Sequence, residues 1–146
     1  MDIHASSGKY LNDDTVRESY WYHATDGQDW MGSLLSNDIP NIPLVHVGTE
    51  RTALEVILDK HIDSPHPISI FRIKLKANAV LNETIFFDDN DWPETLKEDR
   101  PAGDVYRYVN RWEAAGSISL LVDPRYLEIV SVERLTSYTE VWDRVA

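Results

Sequence analysis

With no cysteine among its 146 residues, the chain has no disulfide, thiolate zinc site, iron–sulfur cluster or cysteine nucleophile, and its five histidines are the strong imidazole donors. His23 closes an aromatic run, Tyr20-Trp21-Tyr22-His23-Ala24-Thr25, and His46 lies in Leu44-Val45-His46-Val47-Gly48-Thr49. A histidine on a short strand before glycine suits a packed, hydrogen-bonded role as well as a ligand contact. Gly48-Thr49 at a helix start could offer backbone amides to a phosphate, with Arg51 and Arg72 as counter-charges for a pyrophosphate. The carboxylate of interest is Glu113, at the margin of an apolar stripe. Half-burial there would make its pKa and hydrogen bonds adjustable.

Other chemistries find less support. His61-Ile62-Asp63-Ser64-Pro65-His66 brings two imidazoles close, but Pro65 and Pro67 favour a turn and no further ligands flank them, so no metal site is expected. Asp88-Asp89-Asn90-Asp91 lacks the spaced ligands, central glycine and terminal glutamate of an EF-hand loop and reads as solvated acid. There is no Gly-x-Ser-x-Gly, phosphate-loop or Rossmann fingerprint, which leaves hydrolase and nucleotide-kinase readings without a motif.

The elements that must carry these residues follow from periodicity. Residues 1–14 are polar and read as a weakly ordered lead-in. Ser19 to Thr25 reads as a strand stopped by Asp26-Gly27, and residues 26–43 as an ordered connection broken by Gly27, Gly32, Pro40 and Pro43. Leu44 to Thr49 is a second short strand with Thr49 as N-cap, and Ala53, Leu54, Ile57, Leu58 and His61 give the rhythm of an amphipathic helix over 50–60. Ile68 to Lys76 alternates, Phe71, Ile73 and Leu75 against Arg72, Lys74 and Lys76. Its basic face is either solvated strand charge or a phosphate site.

Asn82 to Asp104 reads as a long acidic loop with one helical turn near Glu94 to Lys97. Val105, Tyr108, Val109 and Trp112, at i, i+3, i+4 and i+7 behind Asp104 and ahead of Gly116, predict a helix over 104–115. Ile118 to Val122 and Tyr126 to Leu135 read as strands around Asp123-Pro124, and Tyr138 to Ala146 as a short closing helix.

Composition sets the outer limits. The length suits one domain, residues 1–146, large enough to bury a core, and 42% hydrophobic residues with five Trp and seven Tyr mark a globular chain. No apolar run approaches the roughly 20 residues of a membrane span, and Met1 to Asn12 shows no secretory signal, so a cytoplasmic protein without membrane partners is expected. With 14 Lys+Arg against 25 Asp+Glu the net charge is −11, which argues against conventional duplex DNA binding. The acidity is either a solubilising surface or a face that imitates nucleic acid and engages a basic partner.

Three segments in order, Tyr22-His23-Ala24-Thr25, Val45-His46-Val47-Gly48-Thr49 and Ser117-Ile118-Ser119-Leu120-Leu121-Val122-Asp123-Pro124, give the chain a pattern that resembles the ADP-ribosyltransferase-like family over roughly residues 19–135. The resemblance implies an α+β fold of small, mostly antiparallel split sheets with flanking helices, and NAD as a substrate whose nicotinamide–ribose bond is cleaved. It implies that His23 binds ribose, that Ala24 offers backbone hydrogen bonds to the nicotinamide amide, and that Thr25 supports the strand end. The family often places its catalytic glutamate at the start of the late strand, where this chain has Ser117, Ile118 and Ser119. Glu113 is the nearest carboxylate and would stabilise the developing oxocarbenium, with Tyr22, His46 and Tyr108 lining the pocket. ADP-ribose would pass to a macromolecule or to water. The alternative is a non-enzymatic binder: a degenerate transferase fold that sequesters an ADP-ribose-like nucleotide, or an acidic inhibitor of a basic or nucleic-acid-binding partner.

Overall fold

The computed structural model describes residues 13–26, 44–61, 67–87, 102–135 and 138–145. Over these the order is α1 (Asp13–Glu18), β1 (Trp21–Thr25), β2 (Val45–Val47), α2 (Glu50–Val56) running on into a wider π-helical turn (Ile57–His61), β3 (Ile68–Leu75), β4 (Leu81–Phe87), β5 (Val105–Val109), β6 (Ile118–Val122), a 3₁₀ turn (Pro124–Tyr126), β7 (Leu127–Leu135) and α3 (Tyr138–Val145). The fold is α+β, with a three-stranded sheet β1-β3-β7 and a four-stranded sheet β2-β6-β5-β4. No helix among the described residues is long and apolar enough to cross a membrane.

β3 is central in the first sheet and pairs antiparallel with both neighbours. Its alternation is as read: Ile73 and Leu75 are buried, while Arg72 and Lys74 lie over the Tyr20 ring at 3.7 and 5.4 Å from its centroid. In the second sheet β6 is central and buried along its whole length. Trp21 and Ile73 from one sheet pack with Val47, Val105, Leu120 and Val122 from the other in one core cluster. A second cluster joins Ala24 and Ile70 to Ala53, Leu54 and Ile57 of the α2 segment and to Val141 of α3.

Four sequence expectations need correction. The helix over 104–115 is the strand β5, ending at Val109, followed by a turn. Val-Tyr-Arg-Tyr-Val is strand-forming chemistry, and all five residues are buried, so apolar positions recur at helical spacing without a helix. Arg107 survives inside because Asp13 Oδ1 lies 3.1 Å from its Nη1 and the Asn82 carbonyl accepts from Nη2 at 2.7 Å. Asp104 is no helix cap either: its Oδ2 accepts from the Val80 amide at 2.9 Å.

Asn82, where the acidic loop is expected to start, lies instead inside β4; β4 pairs parallel with β5, and the other four strand pairings among the described residues are antiparallel. The lead-in expected over 1–14 gives way at Asp13 to α1, fastened by Trp21 Nε1 donating to the Val16 carbonyl at 3.1 Å and by Arg17 donating to the Ala79 carbonyl at 2.8 Å. The Asp88–Asp91 run, the helical turn near Glu94, most of the 26–43 connection and His66 lie outside the described residues.

The two sheets meet at one bridge, Tyr22 against Gly48. Glycine is required there by proximity: an added Cβ would sit 2.8 Å from Thr52 Cγ2 and 3.0 Å from Ser119 Oγ. Gly48→Ala is therefore expected to cost about 1–3 kcal/mol through overpacking, read as a lowered urea midpoint with an unchanged m-value. An unaltered midpoint would show that the seam tolerates a side chain.

Candidate functional site

Beside that bridge lies a cavity of about 620 Å³, within the range of small-molecule sites. Its described lining comes from β1, β2, the α2 segment, the end of β5 and the turn after it. Of the residues singled out from sequence, Tyr22, His23, Ala24, Thr25, His46, Tyr108 and Glu113 are brought together there. Gly48, Thr49, Arg51 and Arg72 are not among the lining residues. Gly48 serves the seam. Thr49 caps α2, its Oγ1 accepting from the Thr52 amide at 3.1 Å, so the helix start is satisfied by its own chain. Arg51 pairs with Glu55 at 3.2 Å, and Arg72 stacks on Tyr20.

His23 is held by its backbone surroundings. Nδ1 lies 2.6 Å from the His46 carbonyl oxygen, which can only accept, so Nδ1 carries the proton and Nε2 is the ring's acceptor. Burial, only partly offset by that bond and assisted by the nearby His61, lowers the His23 pKa to about 4. The imidazole is thus neutral at physiological pH, with fixed donor and acceptor ends. Tyr22 moves the other way: burial, then the Glu50 charge, raises its pKa above 10.0, so its hydroxyl keeps its proton. The His46 and Tyr108 rings stand 5.7 Å apart at 52° across the floor of β2 and β5.

Glu113 is 8% exposed, and its Oε1 lies 3.7 Å from Lys60 Nζ. Lys60, with Asp59 and His61, belongs to the π-helical turn, and all three line the cavity. Sequence periodicity does not single out Asp59 or Lys60 as site residues, and it places His61 on the helix's apolar stripe or in a weak metal pair rather than in this cavity. The extra residue per turn aims consecutive side chains at one space, and a 3.6-residue pattern carries no sign of it. Trp112, expected in the core, is 75% exposed at the cavity edge. Among the described residues no three His, Asp or Glu side chains are placed to hold a metal ion.

The neutrality of His23 has a measurable consequence. On unfolding, the imidazole returns to its ordinary value near 6.5 and binds a proton that the folded form refuses. His23 therefore contributes stability that is present in full above about pH 6.5 and is lost as pH falls toward 4. Long-range proton–nitrogen NMR at pH 6 should find His23 as the neutral Nδ1–H tautomer, where an ordinary histidine is mostly charged. The His23→Gln variant should lose less stability than the parent between pH 7.5 and 5.5. A charged His23 at pH 6 would overturn both expectations. No family model, curated protein or solved structure matches the chain.

Proposed function

We propose that the chain is an ADP-ribosyltransferase-like protein, in fold and in chemistry, that binds NAD as substrate and cleaves its nicotinamide–ribose bond. The observation that carries this reading is the convergence of His23 and Glu113, far apart in sequence, on one cavity at the junction of two small sheets. Cleavage is heterolytic. The bonding pair leaves with the nicotinamide nitrogen, which becomes neutral, and positive charge develops on the ribose C1 and ring oxygen. A buried carboxylate opposite that charge is the group such a transition state needs, and Glu113 supplies it.

A lone pair of the acceptor, water or a nucleophilic atom of a macromolecule, then bonds to C1, and its proton passes to Glu113 or to solvent. His23 orients the sugar: with Nδ1 committed to the His46 carbonyl, Nε2 accepts from a ribose hydroxyl. Ala24 offers backbone hydrogen bonds to the nicotinamide amide and Thr25 supports the strand end, a reading supported by both residues lining the cavity. Lys60 is the lysine or arginine among the described lining residues and is the natural partner for a phosphate oxygen, in place of Arg51 and Arg72.

The same Lys60 favours a second reading. Its ammonium neutralises part of the Glu113 charge, and a site in which the pair persists would hold an ADP-ribose-like nucleotide without cleaving it. Saturation-transfer NMR with NAD, followed in the same tube by nicotinamide release, separates the two. Binding with release is expected, and Glu113→Gln should keep binding while losing release by on the order of 100-fold or more. Binding without release supports sequestration. No binding at millimolar NAD rejects both and turns attention to a basic protein partner for the acidic surface.

A further inference from the structure

The turn that carries Glu113 is held more tightly than a hairpin connection requires. β5 and β6 part after the Val109–Ile118 pair, and the backbone closes through the Asn110 amide to the Ser117 carbonyl at 2.9 Å and the Gly116 amide to the Asn110 carbonyl at 2.8 Å. Between them Ala114 has φ +48° and Gly116 φ +91°. Gly116 bears this freely, whereas a left-handed alanine is strained and persists only where its surroundings over-determine it.

Two side chains do so. Asn110 is 1% exposed, and its Oδ1 accepts from the amides of both Trp112 and Glu113, each at 2.9 Å. Its Nδ2 donates to Ser119 Oγ at 3.1 Å, inside β6, which fixes the amide plane. The next amide, of Ala114, donates to Glu55 Oε2 at 2.9 Å. Three successive amides are thus tied to side chains, the middle one being that of Glu113 itself.

We infer that Asn110 is the positioning residue of the site: it fixes the backbone of Glu113 so that the carboxylate stands in the cavity before substrate arrives. Glu55 assists by tying the turn to α2, the same segment whose extension carries Lys60. The inference rests on the transferase reading for its catalytic meaning and on the hydrogen bonds alone for the clamp. Preorganisation of this kind acts on the transition state rather than on ground-state binding, because no atom of Asn110 lines the cavity.

The test uses the full chain, with NAD as probe, in the parent and in Asn110→Ala. Amide hydrogen exchange at Trp112 and Glu113 should accelerate about tenfold or more in the variant. Nicotinamide release should fall about tenfold or more while the Kd for NAD stays within about twofold. If Asn110→Ala does not fold, Ser119→Ala, which removes only the anchor of Nδ2, should shift the same readouts in the same direction by a smaller factor. Unchanged amide exchange, or release and NAD affinity falling together, would overturn the inference and leave Asn110 a general stabiliser. Accelerated exchange in a protein whose parent releases no nicotinamide would leave the clamp standing while the transferase reading fails.

Discussion

Two hydrogen bonds decide where everything else in this molecule can be. The Tyr22 amide donates to the Gly48 carbonyl at 2.8 Å and the Gly48 amide to the Tyr22 carbonyl at 2.9 Å, fastening the edge of one sheet to the edge of the other. No second backbone pair continues that ladder among the described residues; the seam goes on through a side chain, His23 Nδ1 to the His46 carbonyl. A sheet that splits must satisfy its freed backbone groups somehow, and here an imidazole does so. The cavity is the space that the split opens. α2 begins immediately after Gly48, and its tight contact with that glycine sets Thr52 and Ala53 into one wall.

The same constraint fixes the electrostatics. His23 is neutral because the seam buries it: the bond to the His46 carbonyl favours the charged ring and offsets only part of what burial removes, and the nearby His61 adds to the lowering. Its neutrality is thus chiefly a product of burial by the fold. Glu113 presents the opposite arrangement, a buried carboxylate whose nearest cation is largely exposed: the Lys60 side chain is 66% accessible and the Glu113 side chain 10%. The ammonium keeps its hydration in this pair, so the attraction is screened from the lysine's side, while the buried carboxylate depends on it for charge compensation.

How much of this was legible depended on burial. β1, β2, α2, β3, β6 and α3 each present one apolar face or a short bounded run, so their periodicity reports the right element, whereas β7, exposed from Glu128 to Arg134, is legible from its β-branched Ile129, Val130 and Val132. β5 does not, since Tyr106 and Arg107 are as buried as Val105 and Val109, and the residues that distinguish strand from helix no longer differ in polarity. A buried arginine whose two terminal nitrogens meet Asp13 and a carbonyl of β4 is invisible without tertiary partners. α1 was hidden for the opposite reason: it is six residues long and buries only Val16. In the site, His23 to Thr25, His46 and Glu113 stood out by type and position. Lys60 and Trp112 did not, because a π-helical turn and the end of a misread helix decide where their side chains go.

The correction at β5 changes what kind of carboxylate Glu113 is. At the end of a helix over 104–115 it would have sat in the negative end of a helix dipole, which raises the cost of its charge. On a turn between two strands there is no such dipole. The carbonyl-rich terminus is replaced by amides that side chains hold from behind, with the Lys60 ammonium in front. A helix end also frays, whereas a turn held by Asn110, Glu55 and the β5–β6 ladder has its backbone set at both sides. Glu113 thus stands not at a loose helix terminus but on a turn whose backbone amides are held on both sides of it.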